Sequence, residues 1–296
     1  MTIRSTRRDF LRATTASLVA AVPALPDGPR IMVGAHPWVY AAPLPGYDIT
    51  LVLDRIFADL SYAGVDGVEL MDTALRHADV VPRVRDLSRR YSLPVIGASY
   101  QAPMWNREKH AEIIEDARAV IGRIAEVGGH TLGTSVGDAR RKKTAAELDA
   151  QAEMLLKLTE ICVANGVVLN LHNHIYEVQD DEYDLRGTLT RIPDAKLGPD
   201  IDWLVGAKVD PVSFIHRYGA RIVYAHLRDR KADGVWSEAM GEGAIDYAAV
   251  GRALHEAKFS GTLAIELAHP AGFTPTRPLR ESFKLSREYV RRVMGY

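Results

Sequence analysis

From residue 30 onward, short β-branched segments alternate with longer segments whose apolar residues recur every three to four positions. The short segments predict eight strands, at residues 30–36, 65–70, 94–100, 130–136, 167–172, 197–202, 221–227 and 262–267. The longer segments predict helices at residues 51–64, 80–91, 109–128, 144–166, 210–219, 246–258 and 279–295. The helix after the fifth strand is faint, somewhere within residues 183–192.

Strands that alternate with helices imply a parallel sheet with helical crossovers. Eight such units in about 270 residues fit a (β/α)8 barrel, whose typical length is about 250 residues. The alternative, a doubly wound open sheet, lacks support because no GxGxxG follows the first strand and there is no P-loop. No linker-like segment divides residues 25–296. The predicted fold class is therefore α/β, with one (β/α)8 TIM-barrel domain.

Composition excludes several classes of partner. The chain of 296 residues is 47% hydrophobic, which is enough to fill a sizeable core. Its formal net charge of -1 gives no overall field that would draw it to nucleic acid or to an anionic membrane. The single cysteine, Cys162, excludes an internal disulfide. We therefore expect a small-molecule partner and no nucleic acid.

The N-terminus is typical of a twin-arginine export signal. Arg7 and Arg8 precede a short apolar run at residues 13–22 and a small-residue exit, with cleavage expected after Ala24. The run is too short to cross the roughly 30 Å of a bilayer, so we expect no retained membrane anchor. Residues 1–24 are thus a predicted signal peptide, and the mature protein a periplasmic or secreted one. A disordered basic tail is the alternative.

In a (β/α)8 barrel the chemistry lies where the strands end and the βα loops begin. Most predicted strands of the second half end in a carboxylate or an imidazole. Side chains from neighbouring strand ends of a closed barrel can converge on one point. Two imidazoles and two carboxylates suit a first-row divalent ion better than Mg²⁺ or Ca²⁺. The predicted metal ligands are His172, Asp200, His226 and Glu266.

Several motifs now resemble a known family. The segments GVDGVEL (64–70), YAHLRD (224–229), GEGAIDY (241–247) and AIEL (264–267), with GPDIDWLVGAKVDPV, look like the xylose-isomerase-like TIM barrels. This sugar phosphate isomerase/epimerase superfamily includes inosose dehydratases and ketose 3-epimerases. The resemblance places the metal aspartate at Asp200, ten residues before Asp210, and not at Asp202. It implies one divalent ion, with Mn²⁺ expected first and Co²⁺, Fe²⁺, Zn²⁺ or Mg²⁺ as alternatives.

One departure from the family bears on the reaction. The epimerases end their fifth strand in a glutamate, and two metal-bound glutamates exchange protons on opposite faces of the sugar. Here His172 stands at that place, so the matched pair of carboxylates is lost. The segment HNH resembles the inosose dehydratase side of the family. Trp203 replaces a histidine that is common there, and it offers an apolar face to a sugar ring.

These residues suggest a mechanism. A metal-bound sugar carbonyl or diol acidifies the neighbouring C–H, and Glu266 or a histidine removes that proton to give an enediolate. Expulsion of a β-substituent then makes the enzyme a lyase or dehydratase, and reprotonation makes it an isomerase. Catalytic candidates are Glu266, His174 and Glu177, the last two as proton donors or as structural supports. Predicted substrate-binding residues are Glu69, Trp203 and Arg228, with a salt bridge as the alternative for Glu69.

The predicted substrate is a keto-sugar, a cyclitol or a 3-keto-glycoside. A metal-dependent sugar isomerase or epimerase is the first alternative to a lyase. An AP-endonuclease-like nuclease would need more histidines and a basic groove, and neither is evident. A sugar-binding barrel without catalysis is a third possibility. A homo-oligomer is compatible with the sequence.

Overall fold

The computed structural model describes residues 31–270 and 272–296. Its strands are β1 Met32–His36, β2 Val68–Met71, β3 Val95–Gln101, β4 Thr131–Ser135, β5 Val168–Leu171, β6 Tyr224–Leu227 and β7 Thr262–Glu266. All neighbours pair in parallel, in the order β5-β4-β3-β2-β1-β7-β6. Their buried runs are typical of a parallel sheet that is covered on both faces. The α/β TIM-barrel prediction is confirmed, with seven strands in a single, nearly closed domain.

The prediction of a strand at residues 197–202, the sixth of the eight in chain order, is wrong. Only single bridges occur there: Leu197 pairs with Leu171 on one side and Ile222 on the other, and Asp200 pairs with His226. Pro199 has no N–H to donate to a neighbouring strand, although its carbonyl accepts from the His226 N–H at 2.9 Å. The chain then turns directly into a helix. Leu197 alone thus bridges the two edges of the sheet.

The helices cover the outside of the barrel, and all of those predicted with clear periodicity are confirmed. The described residues contain α1 Trp38–Ala41, α2 Leu53–Ala63, α3 Asp72–Leu75, α4 Val80–Tyr91, α5 His110–Glu126, α6 Ala145–Ala164, α7 Ile175–Arg191, α8 Ile201–Gly206, α9 Pro211–Tyr218, α10 Tyr247–Glu256 and α11 Leu279–Tyr289, the last followed by a π-helical turn, Val290–Met294. Short 3-10 turns occur at Pro45–Tyr47, Thr50–Val52, Arg107–Lys109 and Gly219–Arg221. Four helices begin at a capping residue whose side chain accepts a backbone N–H of the first turn. The capping residues are Thr144 for α6, Asp200 for α8, Asp210 for α9 and Asp246 for α10.

The faint fifth helix is longer than predicted, because α7 starts directly behind His174. It is interrupted at residues 179–182, where Asp180, Asp181 and Glu182 all have positive φ. Consecutive left-handed residues are costly for side chains other than glycine. Glu182 is buried there and accepts hydrogen bonds from Arg217 at 2.8 Å and from Tyr218 at 2.7 Å. This break explains why the sequence shows no continuous helical periodicity.

The predicted signal peptide, residues 1–24, lies outside the described residues, and export stays a prediction. Within the part of the chain that is described, no helix is both long and apolar enough to cross a membrane.

The close packing at the bridge predicts a large effect of one methyl group. A Cβ on Gly198 would lie 1.9 Å from Asn170 Oδ1 and 3.3 Å from Tyr224 Cβ. We expect Gly198→Ala to lower the free energy of unfolding by about 1 to 3 kcal/mol in urea titrations, because the buried Asn170 side chain must move. Gly122→Ala, in α5 with no atom within 4 Å of the new Cβ, is the control and should stabilise by about 0.4 to 1 kcal/mol. Equal effects of the two changes would contradict this packing.

Candidate active site

Alternate residues of each strand point into the barrel and stack in layers. One layer is apolar and consists of Met32, Ile96, Tyr224 and Ala264. Two residues further along β6 and β7 stand His226 and Glu266, and His36 of β1 is the register partner of Glu266. The period of two in the strands thus places these polar side chains together at the C-terminal end of the barrel.

Glu69 lies behind His226 and fixes its orientation. Its Oε2 accepts hydrogen bonds from Tyr224 OH at 2.8 Å and from His226 Nε2 at 2.6 Å, and all three side chains are buried. Burial raises the pKa of Glu69, but His226 outweighs this and the net pKa is lowered. Burial lowers the pKa of His226, yet Glu69 and Glu266 raise it to about 9. Nε2 therefore donates to Glu69. Nδ1 faces the site and carries the second proton, which it donates to His172 Nδ1 at 2.9 Å, so a divalent ion would have to displace this proton.

Three of the four predicted metal ligands lie close together. Donor atoms of His172, Asp200 and His226 are all within 4.8 Å of one another. The Nδ1 atoms of the two histidines are 2.9 Å apart, close to the roughly 3 Å expected for two nitrogens at about 2.1 Å and a right angle on one ion. Burial and the adjacent His226 hold the pKa of His172 well below its usual value, so this imidazole is neutral.

This donor set fits a divalent ion. Two imidazoles and one carboxylate suit a first-row metal, and a ligating histidine commonly donates its second N–H to a carboxylate, as His226 does to Glu69. Glu266, the fourth predicted ligand, has Oε2 at 3.6 Å from His226 Nδ1. It borders the three-residue group without belonging to it.

Asp200 and Asp202 have different partners. Asp200 is fully buried; its Oδ1 accepts from the Trp203 N–H at 3.1 Å, and its Oδ2 contacts Arg228. Asp202 instead pairs with Arg230, at 2.5 and 2.6 Å, and accepts from Trp236 Nε1 at 3.0 Å. Burial raises the pKa of Asp200, and Arg228 opposes this. It is therefore Asp200, and not Asp202, that the structure groups with the two histidines.

Arg228 is buried between the carboxylates of Asp200 and Glu266. Its Nη2 contacts Asp200 and lies 3.2 Å from Glu266 Oε1. Its guanidinium carbon lies 5.0 Å from the ring centre of Trp203 and 5.6 Å from that of Trp236. Burial raises the pKa of Glu266, but Arg228 and His36 lower it to about 2. Glu266 is therefore ionised at neutral pH.

His174 and Glu177 share Ser135 as a partner. Ser135 Oγ is 3.2 Å from His174 Nδ1 and donates to Glu177 Oε1 at 2.6 Å. Glu177 also accepts from the backbone N–H groups of Val136 at 3.3 Å and His174 at 2.7 Å. Both Glu177 oxygens are thus engaged by the protein, which favours the structural alternative for this residue, and its catalytic role stays a prediction. The His174 side chain is 30% exposed, and its ring centre is 5.8 Å from that of Trp203.

Sequence reasoning missed His36. The Trp38 N–H donates to its Nδ1 at 3.2 Å, so Nε2 carries the proton and donates to Ser99 Oγ at 2.8 Å. Burial lowers the pKa of His36, which makes the ring neutral. Its Nδ1 is 3.9 Å from Glu266 Oε2. The signal was present, since this histidine ends the first predicted strand on the inward-facing period.

The motif GEGAIDY also has a structural explanation. The Asp229 carboxylate accepts backbone N–H groups from residues 230, 241, 243 and 245, at 2.9 to 3.2 Å. A Cβ on Gly243 would lie 2.1 Å from Asp229 Oδ1, so only glycine permits this approach. Tyr247 donates from its hydroxyl to the Arg228 carbonyl. The motif therefore holds the loop that carries Arg228.

The chain belongs to the xylose isomerase-like TIM barrel family, whose pattern matches residues 57–289. An inosose dehydratase of Clostridium beijerinckii is 22% identical over 274 residues, which cover 82% of this chain and 90% of that protein.

Solved epimerase structures share the fold. A D-allulose 3-epimerase from Methylomonas sp. superimposes with a TM-score of 0.73 at 17% identity, over 90% of this chain and 98% of that one. A 3-keto-D-glucoside 4-epimerase from E. coli gives a TM-score of 0.66 at 15% identity, over 88% and 100% of the two chains. These two structures share the fold of this chain, in agreement with the family match.

The burial of Glu177 predicts a pH-dependent stability difference. Burial raises its pKa from 4.5 to about 7, and the hydrogen bond from Ser135 opposes this rise. Between these values the folded protein retains a proton that the unfolded chain has released, so this contribution to stability is lost as pH rises. We expect Glu177→Gln to gain about 2 kcal/mol relative to the unmodified protein between pH 5 and pH 8, in urea titrations.

Glu147→Gln is the matched control, because Glu147 holds the capping-box position in α6 that Glu177 holds in α7. The hydrogen bond from Arg141 lowers the pKa of Glu147 to about 2, so its contribution is lost only as pH falls below its ordinary value of 4.5. Its stability difference should be flat from pH 5 to 8. A flat difference for Glu177→Gln as well would show that Glu177 is ionised throughout.

Proposed function

We propose that the protein is a divalent-metal-dependent lyase or dehydratase that acts on a keto-sugar, a cyclitol or a 3-keto-glycoside. The observation that carries the proposal is the distribution of carboxylates. Glu266 borders the group formed by His172, Asp200 and His226. Glu69 accepts from His226 and Tyr224, and Glu177 accepts from Ser135 and two backbone N–H groups. Glu266 is the best-placed base.

Elimination next to a carbonyl and epimerisation make different demands on a site. Elimination needs one base for the C–H and one donor for the departing oxygen. Epimerisation needs a proton to leave one face and another to arrive on the opposite face. Glu266 is an ionised base. His174 has a partly exposed ring with no hydrogen bond at Nε2 to the described residues. Burial lowers the pKa of His174 to about 4, so this ring must gain a proton before it can donate one. We therefore assign the role of base to Glu266 and the role of proton donor, once protonated, to His174.

The metal ligands and the aromatic residues would orient the substrate. A divalent ion held by His172, Asp200 and His226 would act as a Lewis acid on the substrate carbonyl. Trp203 is half-buried and offers an apolar face on which a sugar ring can stack. Arg228 would donate to a substrate hydroxyl or to the developing oxyanion. The dehydratase and the two epimerases named above support a carbohydrate substrate for this chain.

The proposed metal site is tested by a pair of matched variants. Asp200→Asn and Asp202→Asn remove the same charge two positions apart, and both aspartates are fully buried and paired with arginine. We expect Asp200→Asn to bind Mn²⁺ about a hundredfold more weakly or worse, since it removes the anionic ligand. Asp202→Asn should keep the affinity within about tenfold, because Asp202 is no ligand and pairs with the neighbouring arginines.

Isothermal titration of chelator-treated protein and elemental analysis measure this difference. Circular dichroism is the control that tests whether both variants remain folded. Full metal affinity in Asp200→Asn would remove Asp200 from the ligand set. A loss confined to Asp202→Asn would show that the other aspartate is the ligand.

The reaction is tested by product analysis in D₂O. With an inosose or a 3-keto-glycoside as substrate, we expect a dehydrated or cleaved product and little deuterated epimer. Glu266→Gln should reduce turnover by about a hundredfold or more, because it removes the base. Mass spectrometry and NMR of the products identify the reaction.

The change His172→Glu provides a reciprocal test of the same reasoning. It restores a carboxylate at the end of β5 and should increase the fraction of stereoinverted product. If the unmodified protein gives mainly the deuterated epimer or an aldose–ketose isomer, the lyase assignment is wrong. The alternative, a metal-dependent isomerase or epimerase, then stands.

A further inference from the structure

Arg228 occupies the position of a cation within the site. One nitrogen, Nη2, contacts both Asp200 Oδ2 and Glu266 Oε1, the second at 3.2 Å. The side chain is 4% exposed, so water screens these contacts little. The guanidinium is thus the positive charge that balances two buried carboxylates.

The contact with Asp200 conflicts with metal binding. Asp200 is the one anionic member of the group that could hold an ion, beside two imidazoles. Its Oδ1 accepts the Trp203 N–H at the start of α8, and its Oδ2 is the oxygen that Arg228 contacts. A divalent ion and a guanidinium at the same carboxylate repel each other. An ion bound by Asp200 must therefore weaken or displace the Arg228 contact.

Arg228 has other partners if it leaves Asp200. Its Nε has no hydrogen-bond partner among the described residues and lies 3.7 Å from Asp202 Oδ2. The rings of Trp203 and Trp236 lie within 5.6 Å of its guanidinium carbon. Asp202 and the two aromatic faces can therefore hold the charge without Asp200, so displacement leaves no isolated buried cation.

We propose that Arg228 is a tethered cation that competes with the divalent ion for Asp200 and thereby sets how tightly the ion binds. This inference rests on the metal dependence proposed above. Ion binding turns Nη2 away from Asp200 and makes this donor available to a substrate oxygen beside Glu266. On this proposal the ion binds before the substrate.

The test is a Mn²⁺ titration of chelator-treated protein by calorimetry, with the thermal unfolding temperature as a second measurement. We expect Arg228→Gln to bind Mn²⁺ at least about tenfold more tightly, because the competing charge is gone. Its unfolding temperature should be lower than that of the unmodified protein in chelator, since two buried carboxylates lose their partner. The rise in unfolding temperature on adding Mn²⁺ should be larger. Neither readout depends on turnover.

Two further variants make the result decisive. Arg228→Lys keeps the charge but loses the planar contacts with two carboxylates and two rings, so it should lie between the unmodified protein and Arg228→Gln. It also serves if Arg228→Gln does not fold. Arg141→Gln removes one positive charge from an exposed ion pair with Glu147 and should leave the affinity unchanged, which controls for net charge.

The outcomes separate this inference from the proposed function. Competition is supported if the Arg228 variants bind Mn²⁺ more tightly than the unmodified protein and Arg141→Gln does not. Equal or weaker binding in those variants overturns it, because Arg228 then supports the ion or ignores it, while the metal-dependent function stands. If neither the unmodified protein nor any variant binds a divalent ion, the proposed metal dependence is overturned and the inference with it.

Discussion

The hydrogen bond between Glu69 and His226 is the interaction on which the rest of the site depends. It joins β2 to β6 across the interior of the barrel, and it exists only because the nearly closed sheet brings these strands face to face. A carboxylate this deeply buried is unfavourable without a partner. Tyr224, one layer below, supplies the second donor. The pair fixes which nitrogen of His226 faces His172, so the fold itself determines the direction of the donor atom.

The fold was largely predictable from the sequence, because the helical and strand patterns are strong everywhere except between residues 179 and 202. The helices α4, α5 and α6 combine regular apolar spacing with clear ends, and seven strands are buried runs. The strand predicted at residues 197–202 does not form, because the apolar character of this segment reflects burial and not continuous pairing with neighbouring strands. A proline and a helix-capping aspartate limit this segment to isolated bridges. Helix α7 was underestimated, because its break at residues 179–182 is stabilised by Arg217 and Tyr218, which are distant in the sequence.

For the site, the sequence indicated which residues lie together, but not which hydrogen bonds and ion pairs they form. His172, Asp200 and His226 do come together, because strand ends and the period of two are readable in the sequence. The position of Arg228 between Asp200 and Glu266 was not readable, since it depends on rotamers and on two tryptophans, one in α8 and one in the loop after β6. The same holds for Ser135, whose hydroxyl connects His174 with Glu177. Long-range hydrogen bonds of this kind leave no local pattern.

The loop after β6 is organised around one carboxylate. Asp229 collects four backbone N–H groups, so the path of the chain is fixed from the centre of the loop and does not depend on its outer side chains. Residues 231–235 are exposed at its outer edge. Such a loop separates two kinds of sequence change. Outer positions are free to diversify and so to alter which molecules the mouth of the barrel admits, while Arg228 and Tyr247 keep their geometry through the centre.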